Sequence, residues 1–145
     1  MTDTIDQKRR SENMRRIRSR DTSPEMKVRR LLHSMGYRYR LHVASLPGRP
    51  DIVFRRIAKI IEVRGCFWHQ HPGCIDSHVP KTRRHYWEPK LRRNRVRDRE
   101  NLRTLQTAGW KVLVVWECET GDEHHVRRRL REFMGRHKTL KQNQR

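Results

Sequence analysis

Apolar residues in this chain gather into short blocks whose spacing changes from one block to the next. Val28, Leu31, Leu32 and Met35 stand at i, i+3, i+4 and i+7, the spacing of a one-sided helix. Ser23-Pro24-Glu25 ahead of them reads as the helix start, with Ser as N-cap, proline in the first turn and an acid at the positive end. Gly36 supplies the stop. Tyr37, Tyr39 and Leu41 then alternate with Arg38 and Arg40, which predicts a half-buried strand. After the turn residues Leu46-Pro47-Gly48-Arg49-Pro50, strands are predicted over Asp51–Phe54 and Ile57–Val63, joined across Arg55-Arg56. Residues 65–89 show little periodicity and predict a loop that needs a cross-link to be ordered. A long basic helix is predicted from about Lys90 to Thr107, ended by Gly109. A buried strand over Trp110–Glu117 and a last helix over 122–135 complete the order. Helix, three strands, helix, strand, helix is the order of an α/β fold around one mixed sheet.

Length and charge refine this picture. A chain of 145 residues is about one domain. We place that domain over 21–136, between a basic stretch over 1–20 and a basic tail over 137–145. The first stretch is either a disordered tail or an arm that orders on a polyanion. Charged residues reach 36% against 33% hydrophobic, and 36 Lys+Arg against 16 Asp+Glu give a net charge of +20. Such a surplus repels itself in a compact state and calls for a polyanionic partner, nucleic acid before membrane. Arginine outnumbers lysine, which favours forked contacts to phosphate or guanine. The longest apolar run, Val112–Trp116, is far too short to span a bilayer. No secretory leader is expected from the polar N-terminal residues, and a cytoplasmic location follows.

Three constellations carry chemistry. Cys66, His71 and Cys74 lie within nine residues, and Cys118 stands just past the last strand. Three thiolates and an imidazole suit a closed tetrahedral Zn²⁺ site, whose role would be to staple the 65–89 loop; the alternative is three small buried thiols. Pro50-Asp51 at a strand start, with Glu62-x-Arg64 on the next strand, approximates the PD…ExK layout of metal-dependent nucleases. Glu62 and Arg64 share a face by period two, and a carboxylate at Asp51 can hold Mg²⁺. Alone, these residues also fit a turn and a surface pair. Phe67, Trp68 and Tyr86-Trp87 stand amid polar and basic residues, fit either for wedging into DNA or for packing in the core.

Taken together, several ordered motifs point to one family. Ser11-x-Asn13-Met14, Asp21-Thr22-x-x-Glu25, Leu46–Asp51, Gly65-Cys66-Phe67-Trp68-His69, Arg97-Asp98-Arg99 and Gly109–Cys118 make the chain similar to the very-short-patch repair (Vsr) endonucleases. That resemblance implies a restriction-endonuclease-like three-layer core, a central mixed sheet flanked by helices, and a structural zinc site. It implies a nick on the 5′ side of the thymine in a T:G mismatch left by deamination of 5-methylcytosine. Asp51 would be the principal Mg²⁺ ligand with the Val63 main-chain carbonyl, His69 the general base, and Glu25 an assistant that orients water or the histidine. Cys66, His71, Cys74 and Cys118 would hold the zinc. Phe67, Trp68 and Trp87 would wedge beside the mismatch and Met14 would enter from the minor groove, while Lys90, Asn94 and Asp98 on one helical face approach the bases and the scissile strand. A monomer associated with the bacterial nucleoid is implied, and mismatch-repair accessory proteins remain open as further partners.

One segment departs from the family pattern. Glu62-Val63-Arg64 stands where an apolar residue is usual at the first position and Asp or His at the third. Arg64 stays protonated and can be neither acid-base group nor metal ligand. Either Glu62 and Arg64 restore a PD…ExK-like site, one toward the metal and the other on the phosphate, or the site is impaired. In the second case the chain is a zinc-stapled mismatch-binding protein without turnover.

Overall fold

The first helix begins one residue earlier than its sequence suggests, because Thr22 is the cap. The computed structural model describes residues 21–135, so the expected arm over 1–20, Met14 included, and the tail over 137–145 lie outside the described residues. Thr22 is extended and its side chain accepts from the Glu25 N–H, which places Ser23 and Pro24 inside the first turn of α1, Ser23–Ser34. Proline is tolerated there because its missing N–H would have no intrahelical partner. Val28, Leu31 and Leu32 are buried as the spacing requires. Gly36, at φ 91, closes the helix, with the Tyr37 N–H returning to the Leu32 carbonyl at 2.9 Å.

The strand expected over Tyr37–Leu41 is shorter. Only Arg40–Leu41 form β1, which pairs antiparallel with β2, Ile52–Phe54, in the register Arg40↔Val53 and Leu41↔Ile52. β2 ends at Phe54, so the main chain at residues 37 and 38 has no strand opposite it. The Tyr37 and Tyr39 rings still pack edge-on to Phe54, at 6.3 and 6.0 Å between centroids. Residues 55–58 make the turn into β3, Lys59–Arg64, which therefore starts two residues later than expected.

A second correction concerns the next helix. α2 runs Arg84–Thr107, so the last six residues of the expected 65–89 loop are helical. Pro89 suggests a boundary in the sequence, but it sits inside α2, one turn past the start, where the helix continues at the cost of the hydrogen bond its N–H would have made to the His85 carbonyl. β4, Lys111–Trp116, returns parallel to β3 in the register Lys59↔Lys111 through Arg64↔Trp116. The sheet order is β1-β2-β3-β4. β4 is thus an edge strand, and only Val115 in it is fully buried, less than the uniformly buried strand expected. After a 3-10 turn over Glu117–Gly121, α3 spans Glu123–Met134, capped by Asp122, whose side chain accepts from the His125 N–H at 3.1 Å.

Alternation along the strands divides the core between two sheet faces. Ile52, Phe54, Ile61 and Val115 pack against Val28, Leu31 and Leu32 of α1 and Val126, Leu130 and Met134 of α3. On the other face Val53, Ile60 and Val112 pack against Leu105 of α2. The result is the α/β arrangement expected, a mixed four-stranded sheet with helices on both faces. The buried Lys59 ties the layers together: its Nζ donates to the Phe133 carbonyl at 2.5 Å, at the negative end of α3. No helix among the described residues is long and apolar enough to cross a membrane.

Candidate active site and metal centre

Strand pairing brings the candidate catalytic residues to one cleft. Asp51 immediately precedes β2, and the antiparallel register places it beside the far end of β3, where the Val63 N–H donates to its Oδ2 at 2.9 Å. The carboxylate is thereby fixed against the Val63 main chain. A cleft of about 790 Å³ opens there, lined by Glu25, Asp51, Glu62, Val63, Arg64, Phe67, Trp68, His69, Asn94 and Asp98 among others. Every one of these is a residue that the sequence singles out. Trp87 and Lys90 do not line it: Trp87 is buried behind Phe67 and Trp68, and Lys90 stands by the Tyr86 ring, 5.4 Å from its centroid.

Loss of water around Asp51 dominates its protonation. Burial pushes the carboxyl up to about 7, the Val63 N–H pulls it back, Glu25 and Glu62 push it further up, and Arg64 opposes them. The native state keeps this proton toward pH 7, whereas an unfolded aspartate loses it near 3.8. Between those values the native state binds more protons, so this group makes stability fall as pH rises. Asp51→Asn removes that dependence while keeping an acceptor for Val63. In buffer free of divalent cations, the variant's melting temperature should gain on the parent's between about pH 4 and pH 7. A difference that stays constant across that window would mean an Asp51 ionised throughout.

Glu62 and Arg64 do share a face of β3. Arg64 Nη2 lies 2.7 Å from Glu62 Oε2, and its guanidinium is 5.9 Å from the centre of the Trp116 ring. Glu25, on the first turn of α1, is buried at 2% exposure and held by two groups that the sequence does not single out. His42 Nε2 lies 2.9 Å from its Oε2 and Arg29 Nη1 3.4 Å. Asp21 joins Glu25 and His42 with ligand atoms within 4.8 Å of one another, and also pairs with Arg29 at 2.7 Å. Only tertiary pairing brings His42 here: its N–H donates to the Asp51 carbonyl at 3.0 Å, so it follows β1 to the Asp51 end of β2.

His69 is oriented from α2. Its Nδ1 lies 2.6 Å from Asp98 Oδ2, an arrangement in which Nδ1–H donates to the carboxylate and Nε2 is left able to accept a proton. Asn94, one turn before Asp98, is buried and donates from Nδ2 to the Trp68 carbonyl at 3.1 Å. The rings of Phe67, Trp68 and Trp87 form one cluster, with centroids 5.0, 5.4 and 5.8 Å apart.

A second constellation lies beside the cleft. Cys66, His71, Cys74 and Cys118 bring their ligand atoms within 4.8 Å of one another, a group that could hold a metal ion. His71 Nδ1 stands 3.5 Å from the Cys118 sulfur and 3.7 Å from that of Cys66, and its ring stacks on Trp116 at 4.2 Å. Burial pushes the Cys66 thiol up to about 12, so a thiolate there requires a cation beside it.

An acidic anchor on a main chain, an imidazole aligned by a carboxylate and a rim of aromatics and arginines form the equipment of a phosphodiester-cleaving enzyme. Residues 2–74 match the model of the family described as "DNA mismatch endonuclease Vsr". Over 134 residues the chain is 48% identical to the Type II nicking enzyme V.XorIIP of Xanthomonas oryzae pv. oryzae, covering 92% of this chain and 98% of that protein. It is 46% identical over 118 residues to the DNA mismatch endonuclease Vsr of Escherichia coli, covering 81% and 75%. To the Type II nicking enzyme V.NmeAIP of Neisseria meningitidis it is 38% identical over 134 residues, covering 92% and 95%. The chain belongs to the Vsr family of DNA mismatch endonucleases, and it is a DNA endonuclease.

Proposed function

We propose that this endonuclease nicks duplex DNA on the 5′ side of the thymine in a T:G mismatch, on a restriction-endonuclease-like core. The observation that carries the reading is the shared cleft, in which Asp51 fixed by Val63 and His69 aligned by Asp98 adjoin Phe67 and Trp68. Asp51 and the Val63 carbonyl would hold Mg²⁺, as oxygen donors suit a hard cation. When bound, Mg²⁺ supplies Lewis-acid polarisation of the scissile phosphate. His69 Nε2 takes the proton of the attacking water while Asp98 stabilises the imidazolium that forms. Glu25, held by His42 and Arg29, orients that water. Phe67 and Trp68 supply the wedge with Trp87 packed behind them, and Met14 enters from the minor groove. Of the α2 face, Lys90 reaches toward the DNA, while the buried Asn94 and the half-buried Asp98 act through the Trp68-His69 loop.

The Cys66, His71, Cys74 and Cys118 cluster would hold Zn²⁺. Zinc–sulfur bonds of about 2.3 Å put tetrahedral sulfurs about 3.8 Å apart, compatible with ligand atoms that all lie within 4.8 Å. Four protein donors leave no open position, so this ion would be structural.

Incubation with Mg²⁺ and duplexes carrying one T:G mismatch in several contexts, beside a matched duplex, tests the function. Strand-specific nicking of the mismatched duplex alone is expected. Tight binding without a nick in any context would assign the protein to mismatch binding instead. The Glu62–Arg64 pair bears on the same point. We read Glu62 as turned toward the metal and Arg64 as reaching the phosphate once DNA enters, so Glu62→Ala should slow nicking about 10–100-fold. Nicking by Glu62→Ala at the parent rate would show that the pair takes no part.

A further inference from the structure

Helix α2 touches two consecutive residues of the loop that follows β3, and the two have different tasks. Asn94 holds the Trp68 carbonyl at 3.1 Å, and Asp98 holds the His69 imidazole at 2.6 Å. Four residues of helix rise about 6 Å while neighbouring Cα atoms lie about 3.8 Å apart, so successive turns of α2 grip successive residues of the loop. Trp87 and Leu91 extend the same stripe toward the helix start, and both are buried. Trp87 packs edge-on to Phe67 and at a tilt to Trp68. The stripe Trp87, Leu91, Asn94, Asp98 therefore keeps the i, i+4, i+7, i+11 spacing of one helix face.

Asn94 calls for its own account on this stripe. Its neighbours Arg92, Arg93, Arg95 and Val96 are exposed, yet Asn94 is only 7% exposed. A buried amide is costly unless its hydrogen bonds are made, and the partner it meets is a main-chain carbonyl of the wedge. The loop itself is tightly turned. The His69 N–H donates to the Gly65 carbonyl at 3.1 Å, and Gln70 donates from Nε2 to the Phe67 carbonyl at 2.7 Å. Little slack remains between Trp68 and His69.

We infer that Asn94 is a positioning residue that locks the main chain of the Trp68 wedge to α2, so that wedge and general base move as one body and mismatch engagement governs the placement of His69. The inference rests on the roles proposed above for Trp68 and His69. It predicts that mismatch discrimination is expressed in the rate of nicking more than in the affinity for DNA. A base contact by Asn94 alone would have the opposite signature.

Asn94→Asp replaces the donating NH₂ by an oxygen and brings a negative charge, and Asn94→Ala removes the amide without adding charge. Three readouts are compared with the parent: single-turnover nicking at saturating T:G duplex, the Kd for that duplex, and fluorine NMR of the DNA-free protein carrying fluorotryptophan. Trp68→Phe assigns the Trp68 resonance, and unchanged Trp110 and Trp116 resonances report an intact fold. Both variants should nick about 10–100-fold more slowly with the Trp68 resonance shifted without DNA, and the Kd of the uncharged Asn94→Ala should stay within about threefold of the parent. Weakened binding of Asn94→Ala with an unchanged saturating rate would overturn the inference and assign Asn94 to the bases. An unmoved Trp68 resonance in both variants would overturn it as well. If the parent nicks no mismatched duplex, the proposed activity falls, and the resonance still decides whether Asn94 locks the wedge.

Discussion

Asp51→Ala is expected to eliminate nicking of a mismatched duplex while leaving DNA binding largely in place. The fold fixes this carboxylate in the cleft against the Val63 main chain at 2.9 Å. Its burial is severe enough to push the carboxyl up to about 7. A site that keeps a carboxylate in such surroundings gives up native stability, and an incoming cation or phosphate-bound metal recovers it. On the proposed role of Asp51 as Mg²⁺ ligand, its removal takes away the Lewis acid, so the loss should exceed that of removing a proton acceptor. His69→Ala gives the comparison, at about 10²–10⁴-fold. Both variants should bind duplex with the parent's salt dependence, because the arginines and lysines that displace counterions are untouched. The assay is single-turnover nicking with Mg²⁺ varied. An Asp51→Ala protein that retains activity within about tenfold of His69→Ala would place the catalytic cation elsewhere.

The largest effect on stability should come from emptying the Cys66, His71, Cys74 and Cys118 cluster. Metal bound by the native chain and not by the unfolded one adds its binding free energy to folding. The cluster ties the loop after β3 to the turn after β4, where the Cys118 N–H donates to the Cys66 sulfur at 3.4 Å. Cys66 is fully buried, and without a cation its thiol stays protonated. Chelation, or Cys66→Ser, should lower the melting temperature by about 10 °C or more, as a loss of roughly 3 kcal/mol does for a domain of this size. Calorimetry with elemental analysis of the same samples checks it. Melting unchanged after verified loss of the metal would remove the cluster from any structural role.

Most of this molecule's order is legible in residue spacing, and the exceptions have local causes. α1, β3, β4 and α3 follow from apolar periodicity because their buried positions lie on one face or alternate between two. The start of α2 does not, since Pro89 looks like a boundary and Arg83, at φ 57, gives no capping side chain. The short β1 is hidden for another reason. Tyr37 and Tyr39 alternate as a strand would, but the length of the pairing is set by β2, twelve residues away. In the cleft, residue types and motifs point to Asp51, His69, Glu25 and the four possible metal ligands. Their orienting partners are set by distance in space: His42 lies 17 residues from Glu25, and Asp98 lies 29 from His69. No local pattern encodes those pairings.

The parallel register of β3 and β4 has a consequence for how the chain reaches its native state. Arg64 and Trp116 face each other across the pair, and Cys66 and Cys118 each lie two residues beyond. The cluster therefore cannot close until the last strand has docked, across a separation of 52 residues. Such non-local pairing is slow and open to slippage, more so at an edge. A slip of one residue would carry Cys118 about 3.3 Å along the strand, a displacement that separates the sulfurs beyond what one tetrahedral ion can bridge. With its cation the cluster would thus act as a proofreader of strand pairing: misregistered chains find nothing to fasten them and come apart, and only the correctly framed pair is held.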